Sequence, residues 1–341
     1  MRNDLNCIEK NGVSEIHKFI FDGLPVRGVL VRLGDAWTEI LRRRAASSEA
    51  GSYPLPVQNL LGEMVAAATL MQSNIKFNGS LILQVLGDGP VKLAVVEVQP
   101  DFGLRATATV TGEVSLGASL SQMVNVNSHG KCAITLDPQT RLPGQQPYQG
   151  VVSLSGDAHE KLEKFSDVLA HYMLQSEQLD TTLVLAADDK MATGLLIQRL
   201  PMAGAGNLAG SSGSQANEDE IGSNEHYKRI ELLASTLKRE ELLELDADTI
   251  LRRLFWEEKL VRFAPLAEDA VPHFSCTCSR ERVSRMILGL GADEAHSIID
   301  ERGAIEVGCE FCGAQYRFDP IDVARLFKVP GDLPPTSETV Q

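Results

Sequence analysis

Phe274-Ser275-Cys276-Thr277-Cys278-Ser279-Arg280 and, further on, Gly308-Cys309-Glu310-Phe311-Cys312 are the stretches around which the rest of the chain can be read. Two close cysteine pairs, separated by residues 279–308, together offer four soft sulfur ligands, Cys276, Cys278, Cys309 and Cys312. Four is the number that a tetrahedral Zn²⁺ site needs, and the stretch between the pairs is long enough to fold. One residue separates the first pair, where structural zinc sites usually leave about two to four. That tight pair points to a site built to react as well as to hold shape. Zinc binds thiolate rather than thiol, and four thiolates leave the cluster with a charge of about −2. Arg280, Arg282 and Arg285 follow the first pair and either offset that charge or form a solvated helix face. His273 and His296 are near in sequence but read as bystanders, because the sulfurs already complete the set.

Working outward, the 341-residue chain has room for one large domain and a smaller one. No apolar run approaches the roughly 20 residues of a membrane helix. The start, Met1-Arg2-Asn3-Asp4-Leu5-Asn6-Cys7, leads into no apolar segment of a secretory signal, so a cytoplasmic location without membrane attachment is expected. A net charge of −14 argues against a phosphate-binding surface and hence against nucleic acid. Residues 271–330 hold seven Lys+Arg against nine Asp+Glu, so the cysteine region lacks the basic excess of a DNA- or RNA-gripping zinc module. In a cytosolic chain six cysteines are not by default a disulfide framework. Cys7 and Cys132 stand alone and read as small buried or idle side chains.

Residues 1–201 read as a mixed α and β core domain. Val26–Leu33 is expected as a strand, 59–72 as a helix, and 80–86 with 91–98 as a hairpin about Asp88-Gly89. Further strands are expected at 131–136, 150–155, 183–186 and 194–198, and a helix at 158–176. Residues 202–226 read as a flexible Gly/Ser-rich loop, unable to bury enough surface to offset its ordering entropy. Residues 227–265 read as a metastable helical linker. Between Tyr227 and Arg262 eight basic and eight acidic residues alternate with leucines, Ile230, Leu233 and Leu237 share a helical face, and Asp246 or Asp248 can cap a helix carrying Ile250, Leu251, Leu254 and Phe255. Such helices are marginal alone, because each i,i+4 ion pair contributes only ~0.2–0.5 kcal/mol. Docking to the core domain and to the zinc module is expected to keep them folded. Residues 271–330 are expected to form a small zinc-binding domain, a redox switch on the grounds given below, and 331–341 a disordered tail. The fold class is therefore α+β: a large mixed N-terminal domain, a charged helical linker and a small C-terminal zinc-binding domain.

No nucleotide fingerprint, G-x-S-x-G or H-E-x-x-H motif occurs, and no catalytic residue or other cofactor site is expected. A purely structural zinc knuckle remains open on spacing alone. Two features favour a switch. A small domain folded around zinc draws roughly 10–16 kcal/mol from the metal, so oxidising its sulfurs would release zinc and unfold it together. Cys309 and Cys312 have redox-pair spacing, and a Cys276–Cys278 disulfide would close a tight, strained and easily reduced ring. The rival readings are a constitutive zinc-ribbon scaffold or nucleic-acid-binding protein and, third, a thiol oxidoreductase.

The cysteine segments, Phe274–Arg282 and Ile305–Cys312 continued by Tyr316-Arg317-Phe318, resemble the signature of the redox-regulated thirty-three-kilodalton heat-shock chaperone family, the 33 kDa chaperonins. Gly62-Glu63, Lys76-Phe77-Asn78-Gly79, Tyr148-Gln149-Gly150-Val151-Val152, Ser176–Leu179 and Leu254–Glu258 extend the resemblance over roughly residues 20–328. The resemblance implies an ATP-independent holdase rather than an enzyme. It implies one Zn²⁺ per reduced, inactive chain, held by Cys276, Cys278, Cys309 and Cys312. Oxidation would form Cys276–Cys278 and Cys309–Cys312 disulfides, expel zinc, unfold the linker and give a homodimer that binds unfolding client proteins. Two departures stand out: the long 202–220 stretch, and Cys132 where a glycine is common.

Overall fold

The structure, a computed structural model, describes residues 12–46, 51–141, 144–200, 215–264 and 271–327. It divides into two compact units, 1–275 and 276–341. In the first unit the order is β1 (Glu15–Phe21), β2 (Val26–Leu33), α1 (Asp35–Ala46), α2 (Leu55–Asn74), β3 (Gly79–Leu86), β4 (Val91–Val98), β5 (Gly103–Val110), α3 (Leu120–Val124), β6 (Lys131–Pro138) and β7 (Tyr148–Ser153). It continues with α4 (Phe165–Glu177), β8 (Thr181–Ala187), β9 (Ala192–Arg199), α5 (Gln215–Ser235), α6 (Arg239–Glu244), α7 (Ala247–Phe255), β10 (Leu260–Arg262) and β11 (His273–Phe274). The second unit holds α8 (Arg280–Leu290), α9 (Ala292–Arg302), β12 (Ile305–Gly308), β13 (Gln315–Phe318) and α10 (Pro320–Leu326).

Two sheets organise the first unit, in the orders β10-β1-β2-β9-β8 and β11-β5-β4-β3-β6-β7. Helix α2 packs on strands of both. Fifteen of its twenty residues are buried, which explains why its apolar positions run round the whole helix instead of along one stripe. Close approach requires glycine here: a Cβ at Gly62 would stand 2.4 Å from that of Ala187. The main core fills the space around α2 with residues such as Val29, Trp37, Leu61, Leu83 and Leu196.

The opposite face of the five-stranded sheet carries a second core. Phe19, Phe21, Val26, Leu30, Ala186, Leu195 and Ile197 meet Tyr227, Ile230, Leu242, Ile250, Leu254 and Phe255 of α5–α7. The rings of Phe21 and Phe255 contact edge to face at 5.0 Å. Strands β2 and β9 are thus buried on both sides, and their near-continuous apolar sequences follow from that.

The hairpin β3–β4 and the strands β2, β6, β8 and β9 lie where the sequence predicts them. The 150–155 strand sits slightly earlier, as β7. The helix expected from 158 starts at Phe165, because His159 adopts positive φ and a Ser155–Lys161 bridge occupies the intervening chain. Of the loop expected at 202–226, residues 202–214 lie outside the described residues, and from Gln215 the chain is helical. The sequence changes there from Gly/Ser-rich to Glu218-Asp219-Glu220, a composition favoured at a helix N-terminus. The switch domain expected from 271 begins as a compact unit only at Cys276, because His273 and Phe274 pair with Gly103 and Leu104 of β5. The expected tail 331–341, and Cys7, lie outside the described residues. Among the described residues no helix is long and apolar enough to cross a membrane.

Candidate metal centre

The second unit is small, with a core of Val283, Ile287, Ala295, Ile305, Phe318 and Val323. Arg280 braces it by donating to Asp322 at 2.7 Å and lying over the Phe318 ring. Two short pieces of chain carry the cysteines. Cys276 and Cys278 occupy the extended stretch before α8, whose N-cap Ser279 accepts from Arg282 N. Cys309 and Cys312 sit in the turn joining β12 to β13, where Gly313 has a φ of 73°, Gly313 N donates to Cys309 O and Cys309 N donates to Ala314 O. Glycine after the pair supplies the positive φ that closes this knuckle.

The four sulfurs, all half-buried, lie within 4.8 Å of one another. The Cys276 and Cys309 sulfurs are 3.7 Å apart, and those of Cys278 and Cys312 3.3 Å apart, so these two contacts run across the sequence pairs. A tetrahedron with ~2.3 Å metal–sulfur bonds has edges of roughly 3.8 Å, so small shifts about a zinc-sized ion, outward for the Cys278–Cys312 contact, would regularise the set. Main-chain N–H groups also aim at the sulfurs: that of Cys278 at Cys276, those of Phe311 and Cys312 at Cys309, and that of Ala314 at Cys312. Tyr316 donates its hydroxyl to Cys278 at 3.1 Å. These donors favour thiolates, the form a soft divalent cation requires. The donor set fits zinc.

The sulfur contacts set the proton affinities of the cysteines apart. The hydrogen bond from Cys309 holds Cys276 down to about 4, while the same contact pushes Cys309 far up. Burial raises Cys312. One charge is accommodated and further charges are resisted, as expected for like groups at this range.

Among the described residues the cluster contains neither His273 nor His296. Arg280 is engaged with Asp322 and Arg317 O, Arg282 donates to Thr277, and exposed Arg285 lies on α8, so these arginines brace the unit or face solvent. Cys132 is fully buried in β6, and burial pushes its thiol up to about 12, which makes it a packing residue. Sequence reasoning missed the N–H donors and Tyr316. The Cys-x-x-Cys-Gly order at 309–313 was the signal for the former.

The sequence matches the Hsp33 protein family over residues 14–319. It is 43% identical to a 33 kDa chaperonin of Chromobacterium violaceum, over 93% of this chain and 95% of that one. A 33 kDa chaperonin of Neisseria meningitidis serogroup A is 39% identical, over 91% and 90%. The fold matches the crystal structure of the Thermotoga maritima 33 kDa chaperonin with a TM-score of 0.66 at 20% identity, covering 92% of this chain and 97% of that one. With its four-cysteine cluster and its two-sheet core, the chain belongs to the Hsp33 family of chaperones.

Proposed function

We propose that the protein is a thiol-switched, ATP-independent holdase that acts in the cytosol, where a reducing environment keeps the four sulfurs available. The observation that carries this reading is the second core: an apolar sheet face closed by charge-dense, intrinsically marginal helices. Cys276, Cys278, Cys309 and Cys312 would hold one zinc in the reduced, resting chain. When bound, the metal would draw the thiolates into one tetrahedron and supply much of the small unit's stability.

The chain's own residues do the switching. In each pair, Cys276 with Cys278 and Cys309 with Cys312, two thiols lose two protons and two electrons to a peroxide, which is reduced to two waters as the S–S bond forms. The ligand set is then gone, and the small core of Val283, Ile287 and Phe318 is too limited to keep the unit folded. Cys276 lies two residues beyond β11, a two-residue strand held by His273 N donating to Phe102 O and, just past it, Ser275 N donating to Leu104 O. Unfolding that reaches β11 frees the chain beyond β10, and α5–α7 lift from the sheet. Phe19, Phe21, Val26, Leu30, Leu195 and Ile197 are then open to apolar segments of unfolding proteins, and the active form dimerises. Recognition by exposed apolar area needs no sequence motif.

The test pairs zinc content with client holding. Peroxide with mild warming should release one zinc per chain and lower helical circular dichroism. The treated protein, unlike the reduced one, should keep a thermally unfolding client from scattering light. A reduced chain that is compact and idle without metal would overturn this reading. Holding that ignores the oxidant would favour a permanent zinc scaffold instead, and a shifted oligonucleotide a nucleic-acid binder.

A further inference from the structure

Sheet edges offer unpaired backbone groups, and native proteins blunt them with charge, proline, bulges or cover. Most edges here are managed. Strand β8 packs against α4, α5 and α6, β11 has two residues, and β10 has three, between Lys259 and Phe263 and including Arg262. Strand β7 is different. It ends its sheet, contains neither charge nor proline, and exposes Tyr148 and Val151 by 51% and 53%. Leu174 of the adjoining α4 is 53% exposed.

Beside this edge lies a cavity of about 170 Å³. Its apolar wall includes Ile134, Leu136, Tyr172 and Met173, and Tyr148 belongs to both the cavity and the edge. An apolar cavity of about 150 Å³ is enough to admit a benzene ring. Polar groups line it as well: Arg27, which donates to Gln198 Oε1, and Asn74, whose buried Nδ2 has no hydrogen-bond partner among the described residues. Glu177 also faces the cavity, its carboxylate accepting from Tyr172 at 3.0 Å and Tyr148 at 3.4 Å. The site therefore offers an apolar socket, hydrogen-bond donors and a free strand edge.

We propose that β7 and this cavity form a strand-addition site for an extended apolar segment of an unfolded polypeptide. The segment's backbone pairs with the free edge of β7, one aromatic or branched side chain enters the cavity, and a neighbouring carbonyl accepts from Asn74 Nδ2. Main-chain pairing supplies affinity and the socket selects the side chain. The identity of the partner rests on the chaperone reading. The edge carries no charged residue and exposes Tyr148 and Val151, which suits an uncharged apolar segment, and pairing with a second copy is an outcome of the test. The edge is in place while α5–α7 still cover the other sheet, so short segments engage it before any oxidation.

The probe is a fluorescein-labelled, end-blocked octapeptide of alternating Val and Thr with one central Phe, titrated by anisotropy against the reduced full chain. Saturable binding is expected. It should weaken by at least about tenfold in Val151→Lys, which places a guarding charge on the edge. The wild-type chain should lose as much when the peptide's Phe is replaced by Ala, and should not bind a peptide N-methylated at alternate residues. These peptide-side changes keep the test independent of how the variant folds. Leu116→Lys, at an 82% exposed position before α3, should bind as wild type. Equal binding by Val151→Lys, or of the N-methylated peptide, overturns the proposal. So does self-association that Val151→Lys abolishes, which assigns the edge to a second copy. If no peptide binds but the peroxide-treated chain still holds a client, this site is wrong and the thiol switch stands.

Discussion

At the scale of single residues, two side chains have consequences that can be measured. Cys309 receives two N–H donors and contacts Cys276, so its sulfur is central to the cluster. Cys309→Ser should lower zinc retention and give a chain that holds clients partly without oxidant; unchanged zinc stoichiometry would show that the ligand assignment is wrong. Glu63 on α2 has Arg239 of α6 as its opposing charge and shares a hollow with Glu163. Burial pushes its carboxyl up to about 7, although part of the residue meets solvent. An unfolded Glu titrates near ~4.3, so between that pH and about 7 the folded chain binds the extra proton. This group's contribution to stability is therefore full below the unfolded value and is lost as pH rises through about 7. Denaturant midpoints of wild type and Glu63→Gln, followed from pH 5 to 8, should separate in favour of the variant at the alkaline end. Parallel profiles would refute the assignment.

At the scale of elements, α6 is held by an exchange of arginines. Arg32 of β2, 3% exposed, donates to Leu242 O at 2.9 Å and Leu243 O at 3.2 Å, capping the carbonyl end of α6, while Arg239 of α6 donates to Ala187 O of β8. Arg32→Met should leave those carbonyls without their donor and loosen α6 by about 1–3 kcal/mol. Faster amide exchange confined to residues 238–246, with zinc content unchanged, is the expected result. Arg32→Lys should recover only part of the loss, since a point charge cannot span two carbonyls as a guanidinium does. Exchange that accelerates through β3–β6 instead would mean that Arg32 supports the whole core. No sequence pattern announces this latch. Periodicity placed Ile230, Ile250, Leu254 and Phe255 on helix faces, and Asp246 does cap α7 by accepting from Thr249 N at 2.9 Å. What periodicity cannot give is the partner of a face. Strands β10 and β11 are not legible in the sequence because each depends on a neighbour distant along the chain, as Leu260 does on Phe21 and His273 on Gly103. The cysteine cluster is the opposite case, legible because two short spacings each place two sulfurs together, whereas Tyr316 comes beside Cys278 only through the pairing of β13 with β12.

For the whole molecule, the central fact is that one sheet separates two cores with different partners. The buried residues of the α2 side all come from residues 15–199, with only the edge strand β11 added from beyond them, while the other side is borrowed from residues 227–255. Removing the borrowed layer leaves the first core intact, so activation is expected to be a partial unfolding and not a collapse. The two tryptophans report on the two parts. Trp37 is fully buried in the first core and donates to Asp188 O at 2.7 Å, whereas Trp256 is 74% exposed at the end of α7. In Trp256→Phe, emission from Trp37 should remain blue-shifted and shielded from acrylamide after peroxide treatment. The difference between wild type and this variant isolates Trp256, whose fluorescence anisotropy should fall as α7 detaches. If Trp37 instead shifts to the red and becomes quenchable at the oxidation level that releases zinc, the first core opens too. The holding surface would then be the entire unfolded chain, and not the uncovered face of Phe19, Phe21, Leu195 and Ile197.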